Sequence, residues 1–183
     1  MKSNLAIGRI KIVIPRIQIP IWFNKINVGS SISMDSLPVM HDKNLIGVAC
    51  CLTFVARDGP TSLGKERSTH FGISVGFRRN YCGSFHSIPV YFGKDLVTVE
   101  LDHMLLIFFT REEFIDHTSY MSKGLHDVSG IELAALVGQL SGLHLEVKNC
   151  GYHWIFKEDL EQFNPEMMYS GNSSVQNKYV TID

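Results

Sequence analysis

The sequence predicts an all-β fold, a jelly-roll or Ig-like β-sandwich. Three observations indicate it: apolar residues alternate with other residues along several short segments, two longer runs are apolar throughout, and turn-forming residues separate these segments. The chain of 183 residues is 45% hydrophobic, which is enough to fill the core of one domain. We expect the sandwich to cover residues 1–165 and a polar tail to cover residues 166–183.

The predicted strands are of two kinds. Alternation is typical of a strand with one buried face, whereas a continuous apolar run is typical of a strand buried on both faces. In chain order the segments are Ile10–Ile14, the apolar run Leu45–Val55, Phe71–Phe77, Leu96–Leu101, the apolar run Met104–Phe109, Leu143–Val147 and Tyr152–Phe156. Ile131–Leu140 fits both helical spacing and strand alternation, so periodicity leaves its structure open.

Two intervals are predicted to be loops because they concentrate charged, aromatic and glycine residues. They are Ala56–Thr69, which contains the turn signal Asp58-Gly59-Pro60, and Arg78–Asp95. Loops on a rigid sandwich are common positions for recognition residues. We therefore expect ligand specificity to lie in these two intervals.

Two short motifs match known sites in letters but not in context. Gly59–Glu66 resembles a phosphate-binding loop, but Glu66 stands where that loop needs Ser or Thr to hold magnesium. Gly72–Gly76 matches the G-x-S-x-G nucleophile motif, yet it lies inside an alternating strand rather than at a strand-to-helix turn. We therefore expect neither nucleotide binding nor hydrolase activity, and we expect Ser74 to be a solvent-facing strand residue.

The remaining polar residues do not form a catalytic or metal-binding pattern. The eight histidines are scattered without ligand spacing. Asp102 and His103 could be half of a catalytic pair, but a turn in which Asp102 accepts backbone hydrogen bonds is the favoured interpretation. Glu112 and Glu113 are expected to be solvated loop carboxylates. The sequence thus predicts a protein that is not an enzyme and that uses no metal and no cofactor.

Charge and cysteine content limit the partners and the compartment. Lys and Arg number 17 and Asp and Glu number 18, and the formal net charge of −1 argues against nucleic acid or an anionic membrane as partner. The four cysteines lack C-x-x-C spacing and are predicted to be free thiols in an intracellular protein. The first residues lack a signal-peptide pattern, and the longest uncharged run, Asn44–Ala56, is too short for a membrane-spanning helix.

Four blocks of the sequence, taken in order, carry a resemblance to a known family. The first contains Pro15, Ile19–Phe23 and Gly29–Ile32, and the others are Leu45–Cys50, Asp102–Leu106 followed by Arg111–Phe114, and Val147–Gly151 followed by Glu158 and Asp159. Together they resemble the C-terminal jelly-roll and Ig-like domain, also called the post-LRR domain, of plant TIR-type nucleotide-binding leucine-rich-repeat immune receptors. Arg16 and Ile17 replace the usual Gly-Ser of that family, and Leu105 replaces its usual Trp.

The resemblance implies a strand at Ile131–Leu140 and a role as the ligand-recognition module of an intracellular receptor, located in the cytoplasm or the nucleus. In that family the domain contacts a pathogen effector protein together with the adjacent leucine-rich repeats, and it helps to control receptor activation. We expect the isolated domain to be monomeric. A carbohydrate-binding jelly roll and a purely structural cap of the repeat array are the alternatives.

The expected effector contacts are basic and aromatic residues of the two predicted loops, because Arg and aromatic residues dominate interface hot spots. They are Arg57, Lys65, Arg67, Arg78, Arg79, Tyr81, Phe85, His86 and Tyr91. Phe85 and Tyr91 could equally pack under their own loop. In the carbohydrate alternative, Tyr81, Phe85 or Tyr91 would stack on sugar rings.

A second set of residues is expected to hold the sandwich together. It comprises Pro20, Trp22, Phe23, Gly29, Ser30, Cys150 and Gly151. We expect Trp22 and Phe23 to anchor the edge of the sandwich, with Pro20 fixing the entry of the chain. A ligand contact through Trp22 is the less favoured alternative.

Overall fold

Ten strands and two short helices are present in the part of the chain that the structure describes. The structure is a computed structural model that describes residues 10–15, 19–35, 42–58, 70–79, 82–93, 101–119, 131–138, 143–162 and 180–182. The strands are β1 (Ile10–Pro15), β2 (Lys25–Val28), β3 (Ser31–Ser33), β4 (Leu45–Asp58), β5 (His70–Arg79), β6 (Cys82–Gly93), β7 (Asp102–Thr110), β8 (Ile131–Gly138), β9 (Leu143–Phe156) and β10 (Val180–Ile182). The helices are α1 (Arg111–Ser119) and α2 (Lys157–Gln162).

The strands form two antiparallel sheets that enclose a shared core. The larger sheet has the order β10-β1-β7-β4-β9-β2, and the smaller sheet has the order β3-β8-β5-β6. Val48 and Cys50 of the larger sheet belong to the same buried cluster as Val75 and Phe77 of the smaller sheet. The prediction of an all-β sandwich is therefore confirmed, and Ile131–Gly138 is a strand, as the resemblance implies.

β4 is an interior strand of the larger sheet and is buried on both faces. It pairs with β7 over Gly47–Val55 and with β9 over Leu45–Asp58. Cys50 belongs to the core between the sheets, whereas Cys51 belongs to a second cluster on the outer face of the larger sheet. This double burial is the reason that Leu45–Val55 is continuously apolar.

The turn before β2 covers part of the outer face of the larger sheet. Phe23, only 3% exposed, packs against Ala49 and Cys51 of β4. Its N–H donates to the carbonyl oxygen of Pro20 at 3.0 Å, and the ring of Trp22 stacks on it with a centroid separation of 4.0 Å. The structure thus places Trp22 and Phe23 over the outer face rather than at the sandwich edge, because β4 needs an apolar cover there.

Gly29 and Ser30 carry the chain from one sheet to the other. β2 pairs with β9 in the larger sheet, and β3 pairs with β8 in the smaller sheet. Gly29 has a φ of 109°, which glycine adopts without steric strain, and its N–H donates to the carbonyl oxygen of Lys148 at 2.7 Å. The carbonyl oxygen of Ser30 accepts from the N–H of Ala135 at 2.8 Å. These two hydrogen bonds therefore attach the connection between β2 and β3 to both sheets.

The second predicted loop is a strand for most of its length. β6 covers Cys82–Gly93, so the prediction of a loop over Arg78–Asp95 is wrong. Ile88 and Val90 are buried in the core and alternate with the exposed Pro89, which is a strand pattern. Pro89 does not prevent the strand, because β6 lies at the edge of its sheet, where a missing N–H is tolerated.

The structure describes the other predicted segments only in part. Ala56–Asp58 of the first predicted loop continues β4, and residues 59–69 lie outside the described residues. Residues 96–100 of another predicted strand lie outside them as well. Within the predicted tail, Val180–Ile182 forms β10, which pairs with β1.

The segment after β7 is a helix, so the prediction that Glu112 and Glu113 lie on a loop is wrong. The Thr110 hydroxyl accepts the N–H of Glu113 at 3.2 Å, and the Glu113 carboxylate accepts the N–H of Thr110 at 2.9 Å. This reciprocal capping box starts α1. Phe114 then enters the core and meets the edge of Phe77 at a centroid separation of 4.9 Å. Among the described residues, no helix has the length and apolarity needed to cross a membrane.

Gly151 allows β2 to pair closely with β9. A Cβ atom at this position would lie 2.6 Å from the carbonyl oxygen of Lys25 and 3.1 Å from the Sγ atom of Cys51. The first of these contacts is to backbone, which cannot move without shifting the whole strand. The glycine is therefore required by the approach of β2 and by the buried thiol beneath it.

Gly151→Ala should lower the free energy of unfolding by about 1–3 kcal/mol, because the added methyl group must push β2 outward. Urea denaturation of the variant beside the wild-type protein measures the change. His144→Ala is the control, because His144 is an exposed residue of the same strand. Equal stability of Gly151→Ala and wild type would contradict the close packing.

Three of the four cysteines lie in the described residues with their side chains, and all three are free and buried: Cys50, Cys51 and Cys150. Adjacent Cys50 and Cys51 point to opposite faces of β4, as the strand geometry predicts. Burial raises the pKa of Cys51 and the pKa of Cys150 to about 12, and it raises the pKa of Cys50 well above its usual value. The side chain of Cys82 lies outside the described part.

Cys50, Cys51 and Cys150 should therefore resist alkylation in the native protein. Iodoacetamide at pH 8 needs the thiolate, which burial suppresses, so modification should appear only after guanidinium chloride unfolds the chain. Peptide mapping by mass spectrometry before and after unfolding measures this. Rapid native modification of any of the three would contradict their burial.

Candidate functional site

The outer face of the smaller sheet is the surface on which several predicted contact residues meet, and it is called here the small-sheet face. Because successive strand residues point to opposite sides, the strand register places its members together. β5 contributes Gly72, Ser74, Gly76 and Arg78, β6 contributes Phe85, Ser87, Pro89 and Tyr91, and β8 contributes Glu132, Ala134 and Leu136. The alternate residues of β5, which include Val75 and Phe77, are fully buried in the core.

A shallow trough runs along β5 in the middle of this face. Gly72, Ser74 and Gly76 form its floor, because they have no side chain or a small one. Neighbouring strands lie about 4.8 Å apart, so the flanking strands β6 and β8 are about 10 Å apart across the trough. Tyr91 on the β6 side is 64% exposed, and Leu136 on the β8 side is 48% exposed. The trough therefore has a small, partly polar floor and apolar rims.

Gly72 allows the ring of Tyr91 to lie against the backbone of β5. The two residues are directly opposite each other in the register. A Cβ atom at position 72 would lie 3.2 Å from Cδ1 of Tyr91 and 2.7 Å from the carbonyl oxygen of Val90. One part of the ring is thus supported by the sheet while most of it remains accessible. Tyr91 is therefore a fixed, exposed aromatic residue and does not pack under a loop.

An ion pair closes one end of the trough. Nε of Arg78 donates to Oε2 of Glu132 at 2.7 Å, and the side chains are 42% and 16% exposed. The hydrogen bond from Arg78 is the main cause that lowers the pKa of the Glu132 carboxyl, against the opposing effect of burial, and a hydrogen bond with Ser31 lowers that pKa further. The same hydrogen bond raises the pKa of the Arg78 guanidinium. Arg78 is therefore held across β5 and β8 rather than extended into solvent.

The structure brings together three of the predicted contacts, Arg78, Phe85 and Tyr91, on the small-sheet face. Phe85 lies directly opposite Arg78 and is partly buried. Arg57 is not part of this group. It lies on β4 in the other sheet, where its Nε atom contacts Oε2 of Glu146 at 3.2 Å.

The structure does not describe the side chains of the other five predicted contacts. Arg79 lies on β5 and His86 lies on β6, but their side chains fall outside the described part of the chain. Lys65, Arg67 and Tyr81 lie outside the described residues altogether.

Sequence reasoning missed the contribution of β8 to this face. Leu136 and Glu132 belong to the segment whose periodicity fits both a helix and a strand. The sequence did contain a signal for the floor: the alternation Gly72-x-Ser74-x-Gly76, which excludes a nucleophile elbow, also marks one side of a strand as small. Ser74 is partly exposed on that side, as predicted.

Asp102 and His103 do not form a catalytic pair. As consecutive residues of β7 they point to opposite faces of the sheet, so the prediction that they lie in a turn is wrong. Oδ1 of Asp102 accepts from Nζ of Lys148 at 2.5 Å, which joins β7 to β9. His103 is buried, its Nδ1 atom lies 2.8 Å from the carbonyl oxygen of Leu101, and burial lowers its pKa. Across the described ranges, no group of three His, Cys, Asp or Glu side chains could hold a metal ion.

Comparison with known proteins adds no family assignment. No protein-family model matches the chain, and no curated protein matches it. The resemblance to the post-LRR domain therefore rests on the four sequence blocks.

The Arg78–Glu132 pair predicts a pH-dependent contribution to stability. Because the folded pKa of Glu132 is lowered, the contribution is present above the ordinary glutamate pKa of 4.5 and is lost as the pH falls through the lower folded value. Glu132→Gln should lower the free energy of unfolding by about 1 kcal/mol at pH 7, and the difference from wild type should shrink in acid.

Urea denaturation of both proteins from pH 7 to pH 3 measures this difference. The control is Glu146→Gln, because Glu146 and Arg57 form a pair in which both side chains are more than half exposed, and such pairs contribute little. A Glu132→Gln effect that is independent of pH would show that the ion pair is not its cause.

Proposed function

We propose that the chain is a protein-recognition module that binds its partner through the trough of the small-sheet face. The observation that carries the proposal is the exposure of Tyr91 and Leu136 on the two sides of a floor of small residues. Leaving a large apolar side chain in water forgoes roughly 1.5–3 kcal/mol of burial free energy. Tyr91 and Leu136 are exposed only in part, so each forgoes a share of this free energy, which burial against a bound partner would supply.

The preorganisation of the face supports tight binding. Tyr91 rests on Gly72, and Arg78 is held by Glu132 at 2.7 Å, so neither side chain loses much conformational freedom when a ligand binds. Tyr and Arg are also among the residues that dominate interface hot spots. The trough thus offers a fixed aromatic anchor at one end and a fixed guanidinium at the other.

Charge supports a protein partner over a nucleic acid. The net charge of the chain is −1, and the arginine of the small-sheet face is neutralised by a carboxylate. Binding of a phosphate backbone would need an excess of basic groups on this face. The side chains of the face, rather than its edge, are the basis of the contact, because Pro89 removes one N–H from edge strand β6.

The resemblance to the post-LRR domain supports a specific setting for this module. In that setting the partner is a pathogen effector protein, which the chain contacts together with leucine-rich repeats inside a plant cell. The chain carries out no catalysis and needs no cofactor, and its binding helps to control activation of the receptor. The isolated domain is a monomer.

A carbohydrate ligand is the second candidate, and the exposed ring of Tyr91 favours it. The ring lies beside a floor that includes the hydroxyl group of Ser74, and an aromatic surface next to polar groups is suited to a sugar ring. Binding of a panel of neutral oligosaccharides, measured by isothermal titration calorimetry, separates the two candidates. Saturable binding of a glycan that Tyr91→Ala abolishes would favour the carbohydrate.

Filling the trough tests the proposal without altering the core. Ser74→Tyr places a large side chain on the floor between Pro89 and Leu136, on the side of the sheet that faces away from the core. In the chain joined to its natural repeats, we expect at least about 30-fold weaker binding to a cognate effector, equivalent to about 2 kcal/mol. Surface plasmon resonance against candidate secreted pathogen proteins measures the affinity.

The control is Leu160→Ala, because Leu160 is an apolar residue of α2 with 57% exposure, similar to that of the trough rims. Thermal melting of each variant checks that the sandwich is intact. Arg78 is a less useful position for this test, because replacing it also removes the partner of Glu132. Unchanged affinity in a folded Ser74→Tyr variant would place recognition outside the trough.

A further inference from the structure

A different surface lies at the edge of the larger sheet, on β2. Among the described residues, β2 pairs with a strand on one side only, where it meets β9. All four of its residues, Lys25–Val28, are exposed. The free side of an edge strand presents backbone N–H and C=O groups, which another strand can bind.

One hydrogen bond shows which backbone groups of β2 face outward. The N–H of Gly29 donates to the carbonyl oxygen of Lys148 on β9 at 2.7 Å. Because the bonding direction alternates along an antiparallel strand, Lys25 and Asn27 also bond toward β9. Ile26 and Val28 therefore direct their N–H and C=O groups away from β9, toward the free side of the strand.

The two residues with outward backbone groups also carry exposed apolar side chains. Ile26 is 48% exposed and Val28 is 82% exposed, on the outer face of the larger sheet. Trp22, 39% exposed, continues this apolar surface, since its ring lies 5.6 Å from the ring of His153 on the same face of β9. An added strand would thus meet both unpaired backbone groups and apolar side chains.

The charge on β2 does not protect its edge in the usual way. Lysine on an edge strand commonly prevents pairing with other chains. Lys25, however, forms an ion pair with Asp35 at 2.9 Å, and it is opposite Tyr152 in the register, so it lies on the other face from Ile26 and Val28. By contrast, the long edge strand of the smaller sheet carries Pro89, which removes a donor.

We propose that β2 accepts an extended segment of a partner protein as a seventh strand of the larger sheet. The described strands are antiparallel throughout both sheets, and the added strand takes the same orientation beside β2. It carries apolar residues at alternate positions, which pack beside Ile26, Val28 and Trp22, and polar residues between them, which face Lys25 and Asp35. This contact uses none of the residues of the small-sheet face and is independent of the proposed function.

The test uses a blocked eight-residue peptide in which valine alternates with threonine and lysine. In an antiparallel pair, residues opposite Ile26 and Val28 share their face and direct their N–H groups toward β2. The valines of the peptide take these positions. Two matched probes are therefore used, one N-methylated at the valines, which blocks pairing, and one N-methylated at the other residues, which leaves it open.

Amide chemical shifts of the ¹⁵N-labelled full chain report the binding of each probe. We expect saturable shifts at Ile26 and Val28 with the unmethylated probe and with the probe methylated between its valines, and none with the valine-methylated probe. Val28→Pro should weaken binding about tenfold, because it removes an outward donor without removing a bond to β9, whereas Val28→Thr should bind as wild type does.

Three results would overturn the proposal. The first is the lack of any shift at Lys25–Val28 with millimolar unmethylated probe. The second is equal binding of the valine-methylated probe, which would mean that side chains alone make the contact. The third is a shift of these amides with protein concentration in the absence of probe, which would mean that β2 pairs with a second copy of the chain. The two methylated probes decide the matter even if Val28→Pro fails to fold.

Discussion

The burial of β4 on both faces is the constraint on which the rest of the structure depends. An interior strand must pair its backbone on both sides, and β7 and β9 meet this need over almost its whole length. Its inner side chains, such as Cys50, require the smaller sheet as a cover, and its outer side chains, such as Cys51, require a cover of their own. The turn that carries Phe23 provides the outer cover, and β2 follows directly from that turn.

The two outer faces of the sandwich differ because their side chains differ in size. The larger sheet places Ala49 and Cys51 outward, and the chain covers them with an aromatic turn. The smaller sheet places Gly72, Ser74 and Gly76 outward, and these residues carry little apolar side-chain surface that would require a comparable aromatic cover. A face with a small floor and exposed rims can therefore remain accessible to a partner without destabilising the fold.

Glycines at close contacts determine the geometry of both proposed surfaces. Gly151 lets β2 approach β9, which sets the free edge of the larger sheet in place. Gly72 lets Tyr91 rest on β5, which fixes the aromatic rim of the trough. In both cases the missing Cβ atom would have met a backbone carbonyl oxygen. The geometry of the two proposed surfaces thus depends on residues that have no side chain.

The sequence predicted the sandwich well, because the strands that contribute most of the core show either a continuous apolar run or a clear alternation of apolar residues. The apolar run Leu45–Val55 identified the doubly buried strand. β6 was missed because Pro89 and two glycines, Gly83 and Gly93, are turn signals, and the position of β6 at the edge of the described sheet makes Pro89 compatible with a strand.

α1 was missed because it is short and its start is a capping box, Thr110-x-x-Glu113, rather than an apolar period.

The candidate site was predicted only in part, because its residues are brought together by the order and register of the strands. Tyr91 and Arg78 were named from their chemistry, but their union with Leu136 depends on which strand lies beside β5. That pairing joins residues about 60 positions apart in sequence, and alternation within single segments carries no information about it.

Native-state hydrogen exchange tests most directly whether β4 is the strand on which the fold depends. Amides of Val48–Val55 should exchange slowest in the chain and only through global unfolding, so that their exchange free energy equals the unfolding free energy from denaturation. Amides of β2 and β6, which lie at sheet edges, should exchange through local opening at lower free energy. Exchange of β4 amides through local opening, or slower exchange in the smaller sheet than in β4, would contradict the account.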